Sequence, residues 1–217
     1  MSTPASSALN HPFSFARRLI SGAPHPHLES LHTQARRAES ACRVLAEFMD
    51  VDGDEAGLLR QIGELEEEAL AANLALSDRL RSSFITPLDP EDVLTVSTGL
   101  LRVVQAMRRA SDAGRELPSR RDLAPIQRQL TATVRSLGDV VRRLERGGQS
   151  FEGAAGVLRL HREVKASLRI FAGEAVRGES DVRVLIAKQR MHGSLEEVLL
   201  RVRKTAKAVQ WLILKNG

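Results

Sequence analysis

The stretch Phe84-Ile85-Thr86-Pro87-Leu88-Asp89-Pro90-Glu91-Asp92 lies between two long helical patterns. Pro87 ends the first of them, because a proline supplies no backbone N–H and restricts the residue before it. Asp89 can cap the next helix with its carboxylate, and Pro90 suits the first helical position, where no N–H is needed. The two acidic residues that follow favour the positive end of the helix dipole. The stretch therefore predicts a compact corner whose leading Phe and Ile close the end of a core.

Apolar residues recur at helical spacing on both sides of this corner and along nearly the whole chain. We predict six helices, spanning about residues 28–49, 55–82, 90–112, 125–147, 151–172 and 181–214. One apolar stripe in the first helix consists of Ala35, Ala38, Cys42, Leu45, Phe48 and Met49. A second stripe, in the sixth helix, consists of Leu195, Val198, Val202, Ala206, Val209 and Ile213. Gly193 is a candidate weak point in that last helix.

Composition supports an all-α class. Hydrophobic residues make up 42% of the 217 residues, aromatic residues only 3%, and tyrosine is absent. The apolar set is rich in Leu and Ala, which favour helices, while the aromatic residues that favour sheets are nearly missing. We therefore expect an all-α helical bundle with neighbouring antiparallel helices.

The chain divides into a leader and a bundle. Residues 1–27 contain four prolines and read as a flexible leader, with one short helix around 13–20. Residues 28–217 form the bundle, and a division near Leu117 gives two three-helix halves, about 28–116 and 117–217.

Charge and targeting signals limit the function classes. The net charge is +5 and the pI about 10.1, but the basic residues are scattered and no aromatic residues interleave with them. A nucleic-acid surface is therefore not expected, while an acidic partner or an anionic membrane surface stays open. There is no secretory signal and no apolar run long enough to span a bilayer. We expect a cytoplasmic protein, at most peripheral to the membrane.

Candidate metal ligands are few. The carboxylates of Glu64, Glu66 and Glu67, followed by Glu68, could bind cations, but a solvated or partner-facing acidic strip is favoured. The acidic segment 50–55 resembles the start of an EF-hand loop but lacks its glycine and its final glutamate, so Asp54 is read as a helix cap. His25 and His27, together with His32, are a candidate for metal capture, but a flexible leader rarely preorganises ligands, so this reading is not favoured. His161 and His192 are isolated and are read as surface or satisfied helix residues. The single cysteine, Cys42, excludes an intrachain disulfide.

Two segments resemble a known family. Phe84-Ile85-Thr86-Pro87 with the acidic helix start after it resembles the hallmark corner of PhoU-like phosphate regulators, in particular the short subfamily associated with Pit-type phosphate transporters. The stretch 195–216 resembles that family's last helix, so the resemblance covers roughly residues 28–217. It implies two three-helix repeats in an elongated six-helix bundle. It also implies a regulatory or accessory role, through contact with a membrane phosphate transporter or a phosphate-sensing protein.

The sequence departs from the family at its acidic metal-binding motifs. Glu66 matches a first carboxylate, but apolar, amide or basic residues stand where the resemblance expects the others: Leu70, Leu101, Arg102, Gln105, Gly156, Leu160, Leu200 and Lys204. Leucine cannot ligate a metal, and a cationic side chain repels one. With these departures, we expect a bundle of the PhoU-like kind that lacks the family's metal clusters and binds no cofactor.

No catalytic constellation is recognisable. The sequence has no phosphate-binding glycine loop, nucleophile elbow or paired-histidine helix motif. We expect a non-enzymatic regulator that acts by helix-mediated contact between proteins. Two alternatives stay open: a divalent-metal-binding protein that uses the residual acidic residues, and a helical bundle that binds phosphate or a polyanion. Formation of a homo-oligomer is open as well.

Overall fold

The computed structural model describes residues 26–50, 54–82, 88–144 and 148–216. Most of the predicted leader and its short helix around 13–20 lie outside the described residues. The first helix begins at Pro26, two residues inside the predicted leader. A proline can start a helix because the first helical N–H has no acceptor to serve.

Six long helices account for most of the described residues, and no strand occurs among them. Their bounds are α1 Pro26–Asp50, α2 Glu55–Ser82, α3 Pro90–Gly114, α4 Ala124–Arg142, α5 Gly148–Gly178 and α6 Val182–Asn216. A single 3₁₀ turn, Arg121–Leu123, leads into α4. The prediction of an all-α six-helix bundle is confirmed.

The helix ends differ from the prediction in two places. Helix α4 ends at Arg142, several residues before the predicted end, and α5 continues to Gly178 instead of stopping near Ala172. Helix α6 also passes through Gly193 without a break. A glycine inside a helix costs only about 1 kcal/mol, so Gly193 does not interrupt α6. In α5 the helix continues beyond residue 172 and buries the side chain of Ala175, which offsets a cost of this size.

The packing follows the chain order. Helices α1, α2 and α3 pack against one another, and α5 packs against both α4 and α6. The two groups meet through α1 against α4 and through α3 against α6. The α3–α6 pair is antiparallel, since Lys215 near the end of α6 reaches Asp89 at the start of α3.

The core is built from the predicted helical stripes. Every member of the α1 stripe and of the α6 stripe is buried, which confirms both predictions. Most buried side chains are Leu, Val and Ala, with Phe48 and Met107 among the largest. Burial of a full aliphatic side chain stabilises a fold by about 1.5–3 kcal/mol, so these stripes supply most of the driving force.

Candidate functional site

The seam between α3 and α6 opens into a groove of about 490 Å³, which we call the α3–α6 groove. It is lined by Glu91, Leu94, Thr95, Thr98, Gly99, Arg102, Arg201, Lys204, Thr205 and Ala208. Helices α3 and α6 lie close together at Gly99, where a Cβ would lie 2.6 Å from the hydroxyl oxygen of Thr205. The missing side chain lets α6 pack tightly against α3, and the groove lies along this contact.

The groove combines an apolar floor with hydroxyl groups that are already engaged. Leu94 and Ala208 contribute apolar surface. The Thr95 hydroxyl donates to the backbone carbonyl of Glu91 at 2.8 Å, and the Thr205 hydroxyl donates to that of Arg201 at 2.9 Å. These internal bonds satisfy the hydroxyl protons of Thr95 and Thr205, so neither of these donors is left unpaired when an apolar group covers it.

The rim of the groove is basic. Arg102 of α3 and Lys204 of α6 are exposed, and neither forms an ion pair or a side-chain hydrogen bond with any described residue. Arg201 is different, because its guanidinium binds the carboxylate of Glu197 one turn earlier, at 2.7 Å and 2.5 Å. Glu91 supplies the single carboxylate among the lining residues of the groove. Two cations without partners leave the groove with a net attraction for negative charge.

A smaller groove of about 290 Å³ lies between α5 and α6. Its lining includes three residues with basic side chains, His161, Lys165 and Arg203, and the carboxylates of Glu196 and Glu197. Burial lowers the pKa of His161, and the nearby charges of Arg203 and Lys165 lower it further. The imidazole is therefore neutral at pH 7, and the opposing charges around it favour a structural role.

The acidic candidates on α2 do not form a metal site in the described parts of the chain. Glu64 and Glu67 are exposed and Glu66 is half-buried, whereas Glu68 binds Arg37 of α1 at 3.0 Å. Within the described ranges, no three His, Cys, Asp or Glu side chains come together in an arrangement that could hold a metal ion. We therefore interpret these carboxylates of α2 as an acidic surface of the helix.

The structure describes only the second half of the predicted corner. Phe84, Ile85, Thr86 and Pro87 lie outside the described residues. Asp89 caps α3 as predicted, accepting a hydrogen bond from the backbone N–H of Glu91 at 2.9 Å, and α3 begins at Pro90. Lys215 of α6 adds an ion pair to Asp89 at 2.5 Å and another to Asp92 at 3.0 Å. No local signal in the sequence pointed to this lysine, which lies 126 residues away from Asp89.

Asp54 caps α2 as predicted, since its carboxylate accepts from the backbone N–H of Gly57 at 2.8 Å. Residues 51–53 of the acidic segment lie outside the described residues. The thiol of Cys42 is buried, and this burial raises its pKa to about 12. The thiol is therefore protonated and unreactive at neutral pH, as expected for a structural cysteine.

The positions at which the resemblance expects carboxylates occupy several surfaces. Arg102 and Lys204, which come from different helices, line the same α3–α6 groove. Leu200 lines the smaller groove, Leu101 is buried, and Leu70 is 44% exposed on α2. The sequence shows these substitutions, but only the fold shows that Arg102 and Lys204 lie in the same groove.

The sequence matches no protein-family model and no curated protein. A comparison with solved structures does find a match, the crystal structure of a PhoU-like protein from Shewanella oneidensis MR-1. It superposes with a TM-score of 0.74 and covers 87% of this chain and 99% of that one, at 12% sequence identity. The fold is PhoU-like.

At 12% identity the likeness concerns the fold, and the surfaces of a PhoU-like bundle have to be judged from this chain's own residues. In this PhoU-like bundle the α3–α6 groove is a concave surface with two cationic side chains, Arg102 and Lys204, that have no partner among the described residues. None of the helices in the described ranges is both long and apolar enough to cross a bilayer.

Proposed function

We propose that this chain is a non-enzymatic regulatory or accessory protein of inorganic phosphate transport or phosphate signalling. It acts in the cytoplasm by docking its helices against a membrane phosphate transporter or a phosphate-sensing protein. Support comes from the PhoU-like fold and from the two sequence segments that resemble the family, the corner at 84–87 and the last helix.

One observation supports the proposed mode of action. Arg102 and Lys204 stand at positions where the resemblance expects metal-binding carboxylates, and both line the α3–α6 groove without a partner among the described residues. A groove with an apolar floor and a basic rim suits the acidic face of a protein segment far better than it suits a metal cation. Complementary charge across such a contact accelerates encounter and selects the partner.

A deletion strain of the source organism tests the role. We expect its uptake of labelled phosphate, or its response to phosphate starvation, to change, and the wild-type gene to restore it. The double charge reversal Arg102→Glu with Lys204→Glu should restore it poorly. The matched control is Arg128→Glu with Arg135→Glu, because both arginines are exposed on α4 and form no ion pair with a described residue. Unchanged uptake in the deletion strain, with no membrane partner recovered on co-purification, would contradict the proposal.

A second candidate function is the binding of phosphate or a polyanion at the same groove. The unpaired cations Arg102 and Lys204 favour it, because free guanidinium and ammonium groups bind phosphate oxygens. Calorimetric titration with inorganic phosphate, polyphosphate and DNA separates this candidate from protein docking. Heat that disappears in the groove variant but persists in the α4 control would support anion binding.

The metal-binding alternative has its own test. Elemental analysis of protein purified without chelator should find metal far below one ion per chain. A stoichiometric divalent metal that is lost after Glu66→Gln would overturn the expectation that the metal clusters are absent.

A further inference from the structure

Helix α2 exposes two leucines to solvent. Leu70 is 44% exposed and Leu74 is 56% exposed, and the two lie four residues apart, one turn along the same face of the helix. Helices that bind in grooves present their anchors at this spacing. A different face of α2 is packed in the bundle, through the buried side chains of Ile62, Ala69, Leu76 and Leu80.

Acidic residues flank the exposed leucines at both ends. Glu66 and Glu67 lie one turn before Leu70, and Asp78 lies one turn after Leu74. None of these three carboxylates forms an ion pair with a described residue, whereas their neighbour Glu68 does. We call Glu66, Glu67, Leu70, Leu74 and Asp78 the α2 strip. It is an amphipathic surface with an apolar centre and negative ends.

The charge difference between helices extends beyond the strip. Helix α2 contains six acidic and three basic residues, whereas α6 contains eight basic and two acidic residues. The α3–α6 groove lies on the basic side of this division, and the Arg102 and Lys204 at its rim have no partner in the described ranges. The chain therefore carries both an acidic amphipathic helix face and a basic groove with an apolar floor.

The α2 strip cannot enter the groove of its own chain. Asn73 of α2 donates hydrogen bonds to the hydroxyls of Ser97 and Thr98 of α3, at 2.7 Å and 3.4 Å, which fixes α2 beside α3. The buried side chains of α2 hold it against α1 and α3 as well. With α2 fixed in this position, its exposed strip is available only to another molecule.

We propose that the α3–α6 groove receives the α2 strip of a second copy of this chain. Leu70 and Leu74 of one copy contact the apolar floor, and the carboxylates beside them pair with Arg102 and Lys204 of the other copy. Self-association in this way covers the groove and so competes with any acidic partner for it. The association rests on the two surfaces themselves and does not require the role in phosphate transport.

Charge reversals of each surface test the proposal by sedimentation velocity on the full-length chain. The strip variant is Glu66→Lys with Glu67→Lys, and the groove variant is Arg102→Glu with Lys204→Glu. We expect the wild type to self-associate, more weakly as salt screens the charges, and each variant alone to have a dissociation constant raised about tenfold or more. Circular dichroism and thermal unfolding establish that each variant is folded.

Mixing the two variants provides the decisive measurement. The strip variant keeps an intact groove and the groove variant keeps an intact strip, so a one-to-one mixture should form a heterodimer that neither protein forms alone. A chain that carries all four reversals should also regain self-association, because the opposite charges match again. Matched controls are Glu163→Lys with Glu174→Lys on α5 and Arg128→Glu with Arg135→Glu on α4, which should associate like the wild type.

Three results would overturn the proposal. The first is a wild type that stays monomeric at all concentrations up to the millimolar range. The second is self-association of unchanged strength in the strip variant and in the groove variant when each is measured alone, and the third is a groove variant that dissociates while the strip variant does not. The proposed function is measured separately by phosphate uptake, since the strip variant leaves the groove residues intact for an acidic partner.

Discussion

Gly99 of α3 lies against Thr205 of α6 so closely that a Cβ on the glycine would be 2.6 Å from the Thr205 hydroxyl oxygen, 3.1 Å from its Cγ2 and 3.2 Å from its Cβ. Rotation of the threonine would move its Oγ1 and Cγ2 but not its Cβ, and it would break the hydrogen bond from the Thr205 hydroxyl to the carbonyl of Arg201. The two helices that form the groove therefore depend on one residue without a side chain.

Replacement of this glycine should loosen the seam. We expect Gly99→Ala to lower the free energy of unfolding by about 1 kcal/mol or more, because the overpacking cost exceeds the helix-propensity gain of alanine. The control is Gly156→Ala on α5, where a Cβ would meet nothing within 4 Å. That variant should be stabilised by about 0.5–1 kcal/mol. Urea denaturation measures both, and equal stabilisation of the two would disprove the close contact.

Arg120, in the connection between α3 and α4, joins three parts of the bundle. Its guanidinium donates to the backbone carbonyl of Phe48 at 2.8 Å and to the carboxylate of Glu55 at 2.6 Å, and it lies 4.2 Å from the centre of the Phe48 ring. We expect Arg120→Ala to lower the free energy of unfolding by about 1–3 kcal/mol. Arg120→Lys should recover only part of this, since an ammonium cannot make both planar contacts. Arg128→Ala is the control and should change stability by less than about 0.5 kcal/mol.

A buried polar relay ties the first three helices together. The hydroxyl of Ser97, with 0% exposure, donates to the side-chain oxygen of Gln34 at 2.9 Å and accepts from the Asn73 amide at 2.7 Å. Ser97→Ala leaves the oxygen of the buried Gln34 side chain without its donor, so we expect a loss of about 1–3 kcal/mol in denaturant unfolding. Adding Gln34→Leu removes one orphaned group, and the double variant should be closer to the wild type than the sum of the single changes. Additive effects would argue against the relay.

The pairing of Asp89 with Lys215 makes stability depend on pH at both extremes. The hydrogen bond from Lys215, followed by that from the Glu91 backbone, lowers the pKa of Asp89 below its ordinary 3.8, so its contribution exists above that value and is lost as the pH falls through the lowered pKa. In turn, hydrogen bonds to the carboxylates of Asp89 and then Asp92 raise the pKa of Lys215 above its ordinary 10.5. Its contribution exists below that value and is lost as the pH rises through the raised pKa.

Thermal unfolding of Asp89→Ala across pH checks this dependence. The variant should melt below the wild type at pH 7, and the difference should shrink below pH 4 and at high salt, because the pair is exposed. Asp122→Ala removes an exposed carboxylate in the 3₁₀ turn and is the control for loss of a surface charge, so it should melt close to the wild type at pH 7. A melting difference that is constant from pH 2 to pH 7 would rule out ionisation of Asp89 as its source.

Features that depend on neighbours in the sequence were predictable. Helical spacing of apolar residues located six helices, and the α2 bounds of 55–82 agree with the prediction. The caps at Asp54 and Asp89 were also predictable, because a cap needs only the residue and the two or three backbone N–H groups after it. In the described residues, the differences from the prediction lie at helix ends such as those of α4 and α5.

Features that depend on contacts between distant segments were not predictable from the sequence. Nothing local marks Lys215 as the partner of Asp89, Thr205 as the neighbour of Gly99, or Glu55 as the acceptor for Arg120. The sequence showed that Arg102 and Lys204 replace expected carboxylates, but it did not show that the two share one groove.

The sequence by itself determined that the chain forms six helices, approximately where they lie, which faces the first and sixth of them bury, and which residue types it lacks for a cation site of the expected kind. Those properties follow from a 3.6-residue period and from short-range capping, which act within a few residues. Only the tertiary structure decided that α3 and α6 pack against each other at Gly99. This packing brings Arg102 and Lys204 together across a shared groove and leaves Leu70 and Leu74 exposed on α2, because side-chain packing joins residues that the chain keeps far apart.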